Sequence, residues 1–312
     1  MPAPSILRPA RDLVFRAVAH QRRNAPLTGC ILVNGSPRSG TTWLWEWLRE
    51  AISVAGMSET LNDRRLPEWA RRYGFTNRPY RAPDRDDPAL EAALVDLFAG
   101  RHVVPTIFRP RELPHLLAGR PVLTKLITGN LLLPWLVTRL PALRIIQIVR
   151  NPAAMIASQM MYPAGSWSGL RAISPEYDPF LVEHPSYARP QEQFGTLEEV
   201  LAAHWAIEHR YLVEQRAVLA PVHVVRYEDL VREPEPAFRG IVRFLGLPWR
   251  DALLDGARKP SRSVQKTSAL ATGGDTTRKF REQIAPDALA RIDAILERFG
   301  RPFYERPVGA AA

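Results

Sequence analysis

The 312-residue sequence predicts one α/β domain: a central parallel sheet flanked by helices, entered through a nucleotide-binding-like loop and carrying long insertions. Three observations point there. Four short apolar runs, at 30–33, 122–126, 144–149 and 222–226, have the length and mostly the Val/Ile content of strands buried on both faces. Helical patterns separate these runs, and such alternation is the mark of a parallel sheet with covering helices. The first run passes through a glycine-containing loop and straight into a helix.

Taken in order, residues 6–19 read as an amphipathic helix on the outside, with Leu7, Leu13, Val14 and Phe15 apolar and Pro9 in its first turn. This helix belongs to an N-terminal extension, 1–25. The domain proper covers 26–300, and 301–312 is a tail. Insertions fall at about 61–118 and 162–196. Within them, 63–87 and 162–194 lack clear periodicity and gather many of the 29 prolines, together with Arg and Asp. Long irregular segments in a compact domain are usually binding loops. Helices are expected at 197–217 and 286–300.

Composition removes several classes. With 46% hydrophobic, 24% charged and 9% aromatic residues the chain is globular and not disordered. No run reaches the roughly 18 apolar residues of a membrane span, and the first 24 residues lack the pattern of a secretory signal. Cys30 is the single cysteine, which rules out an internal disulfide or a cysteine metal cluster. It reads as a buried strand residue without a redox role. The expectation is a soluble protein of a reducing compartment, hence cytoplasmic. An excess of 42 Lys+Arg over 32 Asp+Glu gives +10, which favours an anionic partner: nucleic acid, a phosphate-bearing cofactor, an acidic substrate or a membrane face. No zinc-finger spacing, aromatic RNA-binding motif or basic zipper appears, so nucleic acid is not expected. A peripheral membrane contact stays compatible with the charge.

The most informative stretch runs from Ile31 through Gly35-Ser36-Pro37-Arg38-Ser39-Gly40-Thr41-Thr42-Trp43-Leu44. Backbone N–H groups of such a loop, with the positive end of the following helix, form an anion site. Gly35 and Gly40 have the spacing of nucleotide triphosphatase loops, but Thr41 stands where those enzymes need lysine. The loop's cation is Arg38 instead. A second stretch, 144–159, is a strand followed by Arg150-Asn151-Pro152 and a helix bearing Ser158. Asn151 can cap that helix, Pro152 suits its first position, and Arg150 sits at a strand's C-terminal end, where open parallel sheets bind ligands.

These two motifs closely resemble the 5′-phosphosulfate loop and the 3′-phosphate motif of sulfotransferases that use 3′-phosphoadenosine-5′-phosphosulfate (PAPS). The resemblance spans about 32–280 and implies a PAPS-dependent sulfotransferase that releases 3′-phosphoadenosine-5′-phosphate (PAP) and needs no metal. It implies that Arg38 stabilises charge on the bridging oxygen and that Ser39, Gly40, Thr41 and Thr42 cradle the 5′-phosphate, with Trp43 alongside. Arg150 and Ser158 would take the 3′-phosphate. Tyr227, in Arg226-Tyr227-Glu228-Asp229-Leu230, matches a third family pattern near the nucleotide; the alternative is a structural residue at a strand end. Lys125, a cation closing an apolar strand, would face the sulfonate with Arg38, against a reading as a peripheral strand-end lysine.

The proton acceptor follows from a departure. Small-molecule sulfotransferases of the cytosolic class use a Lys-Thr-His stretch, and here Ile127 stands at the histidine position. Other members use a glutamate after the first helix. Seventeen residues beyond Thr42 lies Glu59, followed by Thr60, as in the tyrosine-directed members. Glu59 is therefore the expected base, with Glu46, His102 and His115 as alternatives. From the C-terminal region Lys279, Lys266 or Ser263 could complete the 3′-phosphate contacts, although the family's Arg-Lys-Gly is replaced by Ala269-Leu270-Ala271. A hydroxyl on a small molecule, glycan, lipid or natural product is the expected acceptor, and the arginines of the insertions suggest an acidic or phosphate-bearing one. Two other classes compete: a kinase-like phosphotransferase using ATP and Mg²⁺, and a basic nucleic-acid-binding protein.

Overall fold

The computed structural model describes residues 7–61, 65–161, 170–188, 192–257 and 277–305. In chain order the elements are α1 (Leu7–Arg22), β1 (Ile31–Gly35), α2 (Thr41–Ala51), β2 (Ala55–Ser58), α3 (Pro67–Tyr73), α4 (Pro88–Phe98), α5 (Leu113–Leu117) and β3 (Val122–Lys125). Then follow α6 (Leu133–Arg139), β4 (Arg144–Val149), α7 (Pro152–Met160), α8 (Asp178–Glu183), α9 (Leu197–Glu214), β5 (His223–Arg226), α10 (Tyr227–Arg232), α11 (Pro234–Phe244) and α12 (Ala252–Ala257). Helices Phe280–Gln283 and Pro286–Arg298 close the described chain.

The described strands form one five-stranded sheet, ordered β2-β3-β1-β4-β5, with every pairing parallel. Alternation along β1 explains why both faces are covered. Leu32 joins a cluster with Phe15, Leu94 and Trp135 from α1, α4 and α6, whereas Ile31 and Val33 join Leu44 and Leu48 of α2 and Phe238 of α11. β4 repeats the pattern, with Ile145 on the first face and Ile146 and Ile148 on the second. A third cluster packs α7 and α9 with the last helix. It includes Trp205, whose ring stacks on His209 at 4.0 Å as a packing pair.

The sequence reading differs from the structure in several places, among them 162–194, where α8 forms and Tyr177, Phe180 and Leu181 enter the core. β2 was not expected: its Ala-Gly-Met-Ser has no β-branched residue, and the strand exists because it pairs with β3 through Ala55↔Val122 to Ser58↔Lys125. Residues 63–87 are not wholly irregular, since α3 forms there and Ala70 and Phe75 enter the core. Helix α9 ends at Glu214, three residues short of expectation, and turns lead from there to β5. The N-terminal helix is tied in: Arg22 is buried and donates to Ala99 O at 2.6 Å and Arg120 O at 3.1 Å. Cys30 is fully buried just before β1, and burial pushes its thiol up. Trp43, Trp45 and Trp47 are all in the core, and two of their indoles donate, Trp45 to Leu123 O and Trp47 to Leu253 O.

Candidate active site

All the described strands are parallel, so their C-terminal ends meet along one edge. In sheet order that edge carries Glu59 just past β2, Lys125 closing β3, the 36–40 loop after β1, Arg150 just past β4 and Tyr227 just past β5. β3 and β4 flank β1, and Val33 is level with both Lys125 and Ile146, so Arg150 lies four residues further along than Lys125, on the other side of the loop.

On one side of the loop, Lys125 is nearly buried and its Nζ donates to Glu59 Oε1 and to Thr42 Oγ1, each at 2.9 Å. Glu59 N also donates to Lys125 O at 2.7 Å, which locks the two residues together at backbone and side chain. The Glu59 side chain stays 29% exposed, and the Lys125 contact engages its Oε1. On the other side, Arg150 lies over the Tyr227 ring at 4.2 Å and donates to Arg38 O at 2.9 Å. Asn151 caps α7 by accepting from Ala154 N.

Three successive loop residues are tethered from outside. Ser36 Oγ donates to Glu208 Oε2 at 2.9 Å, Gln159 Nε2 donates to Pro37 O at 3.1 Å, and Arg150 holds Arg38 O. Arg38 (φ 70) and Glu59 (φ 55) both sit in the left-handed region, shared among other described non-glycine residues by Arg301 and Phe303. Non-glycine residues held there cluster at functional sites, where the surrounding structure over-determines them. Gly40 has φ 100, and a Cβ on it would come within 2.6 Å of the Tyr227 ring, so no other residue fits. No side chain caps α2, and its first turn holds no acidic residue. Ser39 Oγ is buried without a hydrogen-bond partner among the described residues. An uncapped helix start, a glycine cradle and an orphaned buried hydroxyl make a site suited to a phosphate-type anion.

Residues 30–251 match the family model described as the sulfotransferase family. The chain belongs to the sulfotransferase family. Among curated relatives, rat carbohydrate sulfotransferase 3 is 29% identical over 127 residues, which cover 40% of this chain and 25% of that protein. The chain thus matches about a quarter of that relative's length. Among solved structures, a sulfotransferase domain from the curacin biosynthetic pathway is 19% identical over 90% of this chain and 99% of that one, with a TM-score of 0.48. A Mycobacterium tuberculosis sulfotransferase is 14% identical over 92% and 81%, TM-score 0.47, and a mouse sulfotransferase complexed with PAP is 14% identical over 91% and 89%, TM-score 0.44.

Most residues singled out in this sulfotransferase's sequence gather at the edge: Glu59, Lys125, Arg38, Ser39, Gly40, Thr41, Thr42, Arg150, Ser158 and Tyr227. One relation differs from expectation. Arg38 Nε donates to Ser158 Oγ at 3.0 Å, so these two residues, assigned to opposite ends of the donor, touch directly. Trp43 is buried beneath the edge, with its ring against Tyr227 and Phe238, each at 5.8 Å. Lys279 is half-buried in the turn before Phe280–Gln283, a helix that packs on α7. Ser263 and Lys266 lie outside the described residues. His102 and His115 stand at the wrong end: His102 follows Gly100, which packs on Val122 at the start of β3, and His115 O accepts from Arg120 N just before that strand. Glu46 lies on α2, one turn further from the loop than Thr42.

The sequence reading missed a buried polar network behind the loop. Glu208 of α9 accepts from Ser36, from Asn130 Nδ2 at 2.6 Å and from Tyr177 OH at 2.7 Å, and pairs with Arg78. Asn34 and Gln147 are register partners in β1 and β4. Asn34 Nδ2 donates to Asn130 Oδ1 (2.8 Å) and Gln147 Oε1 (2.6 Å), which extends the network into the sheet. Burial alone would lower the Arg78 guanidinium, but Glu208, Tyr177 and Glu176 together outweigh it and hold it above its ordinary value. Burial, with Arg78 nearby, pulls His204 down to about 3, so it is neutral and accepts from Ser174 N. The insertion arginines Arg78, Arg81 and Arg85 pair internally with Glu208, Asp87 and Glu183, so they do not advertise an acidic acceptor. Among the described residues, no group of three or more His, Cys, Asp and Glu could hold a metal, and no helix is long and apolar enough to cross a membrane.

Proposed function

We propose that this protein transfers the sulfonate of PAPS to a hydroxyl of a small-molecule, carbohydrate, lipid or natural-product acceptor, with Glu59 as the base. The observation that carries the reading is the order of groups along one sheet edge: carboxylate, lysine, tethered phosphate loop, arginine. PAPS supplies a sulfonate on a phosphate leaving group, and the acceptor oxygen bonds to sulfur as the S–O bond to that phosphate breaks. Amides of the α2 start, with Ser39, Thr41 and Thr42, would hold the 5′-phosphate. Lys125 and Arg38 would neutralise charge on the departing oxygen, the kind of preorganised electrostatic support that dominates such transfers. Glu59 accepts the hydroxyl proton through the oxygen not bound to Lys125. Arg150 and Ser158 would take the 3′-phosphate, which requires Ser158 to exchange its bond from Arg38 for one to the ligand. Tyr227 supports Arg150, Trp43 backs Tyr227, and Lys279 approaches from the α7 side.

Residues 26–300 form the catalytic unit in this reading, with the N-terminal extension packed against it and 301–312 as its tail. Likeness to a carbohydrate sulfotransferase supports a hydroxyl acceptor of this range. Calorimetry with PAP, ATP and single-stranded DNA, with and without Mg²⁺, tests the donor. PAP is expected to bind one to one and independently of metal, at least about tenfold tighter than ATP. Tighter, Mg²⁺-dependent ATP binding would turn the assignment to a phosphotransferase, and preference for DNA would turn it to a nucleic-acid-binding protein.

A further inference from the structure

The opposite end of the sheet, where the strands begin, holds a cavity of about 650 Å³. Trp47, Leu48 and Ala51 from the C-terminal half of α2 line it together with Val242, Leu245 and Leu253. Size and apolar lining suit a small organic ligand. Arg120, Arg144 and Arg250 also border it, all three exposed. Elsewhere this protein pairs its arginines with carboxylates, as at Arg78, Arg210, Arg291 and Arg301. None of these three has a carboxylate partner among the described residues; Arg144 lies over the Phe244 ring at 5.8 Å. Asp251, the acidic residue next to Arg250, is engaged by Trp249 Nε1 at 2.9 Å and is not part of the lining.

An apolar chamber with three unpaired cations around it is complementary to one kind of molecule. We infer that this cavity binds a single-chain amphiphile with an anionic head, of the medium- or long-chain carboxylate class, its tail against the partly exposed Ala51, Ile52, Leu245 and Leu247 and its head among Arg120, Arg144 and Arg250. Ile31 at the start of β1 is the register partner of both Leu123 and Arg144, so the arginines preceding β3 and opening β4 flank the central strand. The site is separate from the phosphate loop, which lies at the other end of α2, about 16 Å away along eleven residues. It stands whether or not PAPS is the donor.

Calorimetry of the full chain with decanoate, decanol and phosphatidylglycerol vesicles, with and without saturating PAP, tests the inference. Decanoate is expected to bind one to one, with affinity unchanged by PAP. Decanol and the doubly substituted Arg144→Ser, Arg250→Ser protein should each lower affinity at least tenfold. Ala51→Trp, which fills the chamber, should abolish binding with the circular dichroism spectrum unchanged. Absence of saturable binding, as when another part of the chain or a second copy closes the cavity, overturns the proposal. So does displacement by PAP, indifference to the arginine substitutions, or an arginine-dependent affinity for vesicles without one for decanoate.

Discussion

Turnover of Glu59→Gln is expected to fall at least about a hundredfold, the usual contribution of a positioned base, while PAP affinity stays near the parent value. The substitution keeps the shape of the side chain and an oxygen for Lys125 Nζ, now 2.9 Å away, but removes the group that receives the acceptor's proton. Comparing kcat with PAP affinity separates the roles. Turnover close to the parent would remove Glu59 from the chemistry. Loss of PAP affinity alongside turnover would make it a positioning partner of Lys125 instead.

Glu208→Ala is expected to cost about 3–5 kcal/mol in urea unfolding, because it leaves the Arg78 guanidinium buried without its partner. The consequence extends to the site. Ser36 Oγ, Asn130 Nδ2 and Tyr177 OH lose a shared acceptor, and with it goes one of three tethers on the phosphate loop. PAP affinity should drop in the folded fraction, and Glu208→Gln, which keeps one acceptor oxygen, should recover part of both effects. Unchanged stability and unchanged PAP affinity in Glu208→Ala would show that the network neither holds the fold nor presets the loop.

What the sequence revealed and what it concealed divide along physical lines. β1, β3, β4 and β5 were legible because apolar, largely β-branched runs ended at residues whose type made little sense in a core: Lys125 and Arg150. The loop was legible because Gly35 and Gly40 frame a turn whose letters are local. β2 was not, since nothing in Ala-Gly-Met-Ser favours a strand without β3 beside it. Glu59 was reached by its distance from Thr42, and the structure supplies the physical counterpart: β2 delivers it beside Lys125. Glu208 was out of reach because its meaning depends on Ser36, 172 positions away, and on Arg78 and Tyr177 from an insertion without periodicity. The same blindness hid the carboxylate partners of Arg78, Arg81 and Arg85, which cannot be seen in composition.

The central claim is that two phosphate groups of one nucleotide are gripped by the loop after β1 and by the residues that follow β4. A crystal structure of the protein with PAP tests it most directly. The account predicts the 5′-phosphate on the amides at Gly40–Thr42 and the 3′-phosphate against Arg150 and Ser158, with Ser158 released from Arg38. A nucleotide whose phosphates contact neither Arg38 nor Arg150 would contradict it.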